Sequence, residues 1–168
     1  MGENWMKLKD LIMEAFTLSG RVMLYHFSKE DLGNVAVLDP ALSSQRPSSW
    51  SRNDYKLSKV PRVFYYTDLT KVEHMVKTNN LYAAEYDGTK ILNVSQVLKE
   101  YQTNPDSLAI KNPNAFKIMQ SSVNQYGVID YDAMFRTAGQ FFSGVFYDTG
   151  NLPIVNLFVP LRAKKQNV

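Results

Sequence analysis

Tyr25-His26-Phe27-Ser28, followed some forty residues later by Val63-Phe64-Tyr65-Tyr66-Thr67-Asp68, is the pair of stretches on which the fold reading turns. Each is a short run of aromatic and β-branched residues, the composition of a buried strand. Each also carries a polar aromatic group in its middle, His26 in the first and the Tyr65-Tyr66 pair in the second. A histidine on such a strand is read in two ways, as a hydrogen-bonded core residue or as part of a site. Tyrosines on a strand are less specific still.

Working outward, residues 5–16 carry Trp5, Leu8, Ile12 and Phe16 on one stripe, with Lys7, Lys9, Asp10 and Glu14 off it, which predicts an amphipathic helix. Strands are predicted over 22–27 and 35–38, the second stopped by Asp39-Pro40. Residues 39–61, with three prolines and Trp50, form the longest irregular stretch. A strand over 63–66 enters a helix at Asp68, a good N-cap residue, that runs to about Lys77. A strand over 81–86 leads through Asp87-Gly88 into Ile91-Leu92. Helices follow at 94–101, 114–123 and 131–137, and the two Asn-Pro pairs in 103–113 read as turns. Strands at 144–147 and 154–159 close the chain. This order predicts an α+β domain over 19–168, preceded by the helical segment 1–18.

The composition bounds the function classes. The 168 residues are 45% apolar and 21% charged, enough for one real core. There is no cysteine, so disulfides and thiolate metal sites are excluded. No metal-ligand spacing or phosphate-binding glycine loop occurs, and no apolar run approaches the roughly 20 residues of a membrane span. No secretory signal pattern is present. The net charge is +3, with Arg162, Lys164 and Lys165 as the one dense basic spot, which reads as a solvated tail or a weak nucleic-acid contact. His74 reads as a surface residue.

The segments Tyr25–Ser28, Phe64–Asp68 and Leu81–Gly88 together resemble the ADP-ribosyltransferase superfamily in its His-Tyr-acid branch. They are most similar to the small bacterial rifamycin-modifying transferases, which show Tyr-His-Gly-Thr, an Ile-Tyr-Phe strand entering a helix, and a Tyr-Ile-Val-Glu-Pro-Thr-Gly strand and turn. The resemblance covers residues 21–93. The segment Gly144–Tyr147 through Val155–Pro160 is similar to the closing strand of phage-borne members. The resemblance implies a split pair of small, twisted sheets with flanking helices. It implies NAD as a substrate and transfer of ADP-ribose to a host protein or nucleic acid. His26 would donate a hydrogen bond to a hydroxyl of the adenine-side ribose of NAD. Tyr65, or Tyr66 if the register shifts by one, would stack on nicotinamide, and Ser28 would lie beside its amide. Arg46, Arg52 and Arg62 are candidates for the pyrophosphate, the plainer reading being solvated loop charges.

The acid that normally stabilises the oxocarbenium-like transition state has no counterpart in Thr89–Asn93, where Asn93 is the nearest match. Glu85, Asp87 and Asp148 are the candidates to replace it; Glu85 also reads as a plain strand residue and Asp87 as a turn residue. Asn156 could bind but not act as a base. Residues 6–15 resemble the leaders of proteins packaged into tailed-phage heads, with Ile12-Met13-Glu14 as a prohead-protease site. A docked N-terminal helix is the other reading. The expectations are therefore an NAD-dependent transferase of phage type, in virion and host cytoplasm and in contact with phage head proteins. The alternatives are an inactive virion or interaction protein retaining the fold, and a small basic nucleic-acid-binding module.

Overall fold

The computed structural model describes residues 16–42, 58–148 and 152–167. The predicted N-terminal helix up to residue 15, its protease site, Arg46, Trp50 and Arg52 lie outside the described residues. The chain is a mixed α+β structure. Its strands are β1 (Arg21–Ser28), β2 (Val35–Leu38), β3 (Val63–Tyr66), β4 (Asn80–Asp87), β5 (Ile91–Asn93), β6 (Gly144–Asp148), β7 (Pro153–Leu157) and β8 (Leu161–Lys165). Its helices are α1 (Glu73–Val76), α2 (Val94–Thr103), α3 (Pro105–Lys111), α4 (Pro113–Ser122) and α5 (Tyr131–Ala138).

The expected pair of small sheets is replaced by one eight-stranded sheet in the order β2-β8-β4-β1-β3-β7-β6-β5. The join between its halves is narrow. β1 pairs with β4 along all eight residues, but with β3 only at Tyr25 opposite Tyr66. All neighbours are antiparallel except β5 and β6. A parallel pair needs a long crossover, and α2 to α5 supply it between Asn93 and Gly144.

Strand alternation gives the sheet two cores. On one face Tyr66, Val145, Tyr147 and Ile154 meet the helices through Val97, Leu108, Ile118, Met134 and Phe135. On the other face Leu24, Tyr65, Tyr82, Ile91, Val155 and Ala163 pack on one another. No residue of a described helix belongs to this second cluster.

Three further expectations are corrected. The Asn-Pro pairs start helices: Asn104 and Asn112 each accept from the backbone N–H three residues on, with Pro105 and Pro113 at the first helical position. Proline suits that position because its missing N–H would have no helical partner. The basic C-terminal stretch is not a solvated tail. It is β8, which lies between β2 and β4. The helix predicted from Leu69 to Lys77 is a 3₁₀ turn, Leu69–Lys71, followed by the single-turn α1.

Among the described glycines, Gly144 leaves the least room for a side chain. A Cβ there would lie 2.5 Å from the Asn156 carbonyl oxygen and 2.7 Å from Leu157 Cδ2. Backbone cannot yield as a flexible side chain can. Gly144→Ala should therefore cost ~1–3 kcal/mol, lowering the melting temperature by roughly 2–4 °C per kcal/mol. An unchanged thermal midpoint would mean that β6 and β7 do not meet as described.

Candidate functional site

The two stretches that decided the fold reading meet at the narrow join. His26 and Tyr65 share a face, with ring centroids 5.8 Å apart. Beyond Tyr25–Tyr66 the two strands part, and the His26 imidazole bridges them, with Nδ1 2.8 Å from the Phe64 carbonyl oxygen. A carbonyl only accepts, so Nδ1 carries the proton. Burial holds the imidazole below the ordinary histidine range, outweighing the opposing effect of the Phe64 carbonyl. The ring is therefore neutral near pH 7, with Nδ1–H donating and Nε2 left with a lone pair. This corrects the expected role: toward a ribose hydroxyl, Nε2 would accept rather than donate.

Tyr65 is fully buried in the core of that face. Burial pushes its phenol well above the ordinary tyrosine range. Its hydroxyl has no hydrogen-bond partner among the described residues. A ring enclosed in this way cannot stack on a ligand without leaving the core. Tyr66 points to the other face, where its ring meets Phe64 at 5.1 Å between centroids. Ser28 ends β1 opposite Asn80, and its Oγ accepts from the Glu30 N–H.

The candidate acids are not brought to this pair. Glu85 is opposite Met23, so it lies on the face away from His26, which is opposite Tyr82. Asp87 caps the turn at Gly88–Lys90, accepting from Thr89 Oγ1 at 2.6 Å and from its N–H at 3.0 Å. Those bonds, the hydroxyl's foremost, hold its carboxyl below the usual range. Asp148 is exposed at the end of β6, three strands from β1, or roughly 14 Å. Asn93 caps α2 by accepting from the Gln96 N–H.

Arg62 lies in the core rather than on a phosphate-accessible loop. It is 1% exposed, sits 4.8 Å over the Phe135 ring and donates to the Val60 carbonyl at 2.9 Å. Asn156 is buried on the helix face and donates to the Tyr147 hydroxyl at 2.9 Å. Two open clefts lie away from His26. One, of about 470 Å³, is lined by Tyr101, Val123 and Tyr126 among others; the second, of about 500 Å³, by Lys90, Gln140 and Phe141 among others. Among the described residues no three metal-ligating side chains converge, and no helix is long and apolar enough to cross a membrane.

Sequence reasoning passed over Tyr82. Its buried hydroxyl accepts from the Leu32 N–H at 2.7 Å and donates to the Gly33 carbonyl at 2.9 Å, pinning the turn that leads into β2. Lys165 on β8 pairs with Asp31 in the same turn at 2.9 Å. The sequence predicts a strand over 81–86, but nothing local names the long-range partners of Tyr82.

No family model matches the chain, and neither a curated protein nor a solved structure matches it significantly.

Two measurements check this geometry. Tyr65→Phe removes a buried hydroxyl that lacks a partner, so it should leave stability unchanged or raise it by ~1 kcal/mol. A loss of more than that would show that the hydroxyl is bonded. The lowered pKa of His26 makes the unfolded chain bind more protons than the native one below the ordinary histidine pKa of about 6.5. Stability should therefore fall as pH drops through 6.5, levelling off below the native pKa. His26→Asn, which keeps a donor near Nδ1 but cannot titrate, should flatten that dependence between pH 7 and 5. An equal slope in both proteins would contradict the assignment.

Proposed function

We propose that this protein acts by binding other macromolecules, on an ADP-ribosyltransferase-like framework in which the transfer site is not assembled. The observation that carries this reading is the enclosure of Tyr65. The ring that would stack on nicotinamide is a core residue, and Glu85, Asp87 and Asp148 are each placed elsewhere. Positioning and electrostatics do most of the work in such a transfer, so dispersing the groups removes the means of catalysis while leaving the fold. Folds commonly outlive an activity in this way. The resemblance of residues 6–15 to phage-head leaders supports a virion as the setting, with head proteins as partners.

A second reading, NAD-dependent transfer of ADP-ribose, is favoured by one specific observation. His26 and Tyr65 lie side by side where two strands part, and Nε2 of His26 is a ready acceptor for a hydroxyl. This reading requires β1 and β3 to open further when NAD arrives.

A thermal-shift titration with NAD separates the two. A ligand at ~100 times its dissociation constant would stabilise the native state by about 2.7 kcal/mol. The interaction reading predicts no shift at millimolar NAD and no release of nicotinamide. A shift of several degrees that disappears in His26→Ala would overturn it in favour of the transferase.

A further inference from the structure

β2 ends the sheet, and among the described strands it has a neighbour on one side only, β8. The register of that pair fixes which backbone groups face outward. The Lys165 N–H donates to the Asn34 carbonyl at 2.8 Å, so Asn34 and Lys165 form a hydrogen-bonded pair. Antiparallel pairs alternate. Val35–Lys164 and Val37–Arg162 are therefore the non-bonded pairs, and Ala36–Ala163 and Leu38–Leu161 the bonded ones. The N–H and C=O groups of Val35 and Val37 consequently point away from β8, toward the open edge.

The side chains of the same two residues are exposed, 42% for Val35 and 63% for Val37, while Ala36 and Leu38 enter the core. Natural edge strands are usually blunted by shortness, charge, proline or a bulge, and β2, with four residues, is short. The Val-Ala-Val-Leu of β2 has neither a charge nor a proline. Beside Val37 and Val35 on the same face stand Arg162 and Lys164, both exposed and neither in an ion pair among the described residues. Of the nearby carboxylates, Asp31 is committed to Lys165 and Asp39 to the Ala41 N–H; Glu85, two residues beyond Ala83 on the face that carries Lys164, is exposed and forms no ion pair with either cation.

We infer that β2 is a docking edge for an extended, acidic segment of a partner protein, which adds a ninth strand to the sheet. Val35 and Val37 supply the backbone hydrogen bonds and a small apolar strip. Arg162 and Lys164 reach over that strip to carboxylates on alternate residues of the incoming strand. Main-chain bonds then give affinity and the two cations give selectivity. A second copy of the chain fits less well. Pairing β2 with itself would gather the Arg162 and Lys164 of both copies on one face, and a four-residue contact is far short of the ~1,200 Å² of a stable dimer. The inference rests on the interaction reading and names its surface. An NAD shift at His26 would end that reading without bearing on β2, whereas failure at β2 leaves that reading standing with another surface.

The test is fluorescence anisotropy with a labelled eight-residue peptide of alternating glutamate and valine, against a lysine–valine counterpart. The parent should bind the acidic peptide and not the basic one. Arg162→Glu with Lys164→Glu, two surface changes, should weaken acidic-peptide binding by about tenfold or more and transfer the preference to the basic peptide. Val37→Pro removes an edge-facing N–H while leaving every bond to β8, and should abolish binding of either peptide. Equal binding of both peptides by the parent, no binding of either, or undiminished binding by Val37→Pro would overturn the inference. So would sedimentation of the parent as a dimer that Val37→Pro splits, which would give the edge to a second copy.

Discussion

The hydrogen bond from His26 Nδ1 to the Phe64 carbonyl holds together the place where the sheet is weakest. On one side of it lie β2, β8, β4 and β1; on the other lie β3, β7, β6 and β5. The ladder between the halves is reduced to Tyr25 and Tyr66, so a side chain takes over where backbone pairing stops. Both cores depend on this join. Tyr66 belongs to the helix-side core and Tyr65 to the opposite one, and each is positioned by the same four-residue strand. A neutral imidazole suits the task. It donates one hydrogen bond without the cost of burying a charge.

Strand parity decides which side chains meet. His26 and Tyr65 fall on one face, while Glu85 is an odd number of residues from Tyr82 and falls on the other. Asp87 and Asn93 are used to cap turns and helices, and Arg62 to pack on Phe135. Asp87, Asn93 and Arg62, which looked chemical in the sequence, thus have local structural occupations. The two valines and two cations at the β2 edge carry no such obligation.

Much of the architecture was legible because it follows from periodicity. The strands at 22–27, 35–38, 63–66, 81–86 and 144–147 have two-residue alternation or aromatic runs, and the structure places strands over each of them. The Asn-Pro pairs were misread because the same dipeptide serves a turn and a helix start; only the following apolar pattern, Leu108 and then Ala115, Ile118 and Met119, separates them. β8 was hidden by its charges. Its alternation of Arg162, Ala163 and Lys164 is a strand with one face in the core, but the lysines dominated the reading. The continuity of the sheet, and the bridging role of His26, were beyond local pattern because both depend on partners 38 or more residues away.

The measurement that bears most directly on this account is the nitrogen-15 spectrum of the His26 ring at neutral pH, recorded with and without millimolar NAD. The account predicts a protonated Nδ1 and an unprotonated Nε2, unchanged by the nucleotide. A ring protonated at Nε2 would contradict the bridge to Phe64, and an Nε2 resonance that moves on adding NAD would contradict the reading of His26 as a structural join.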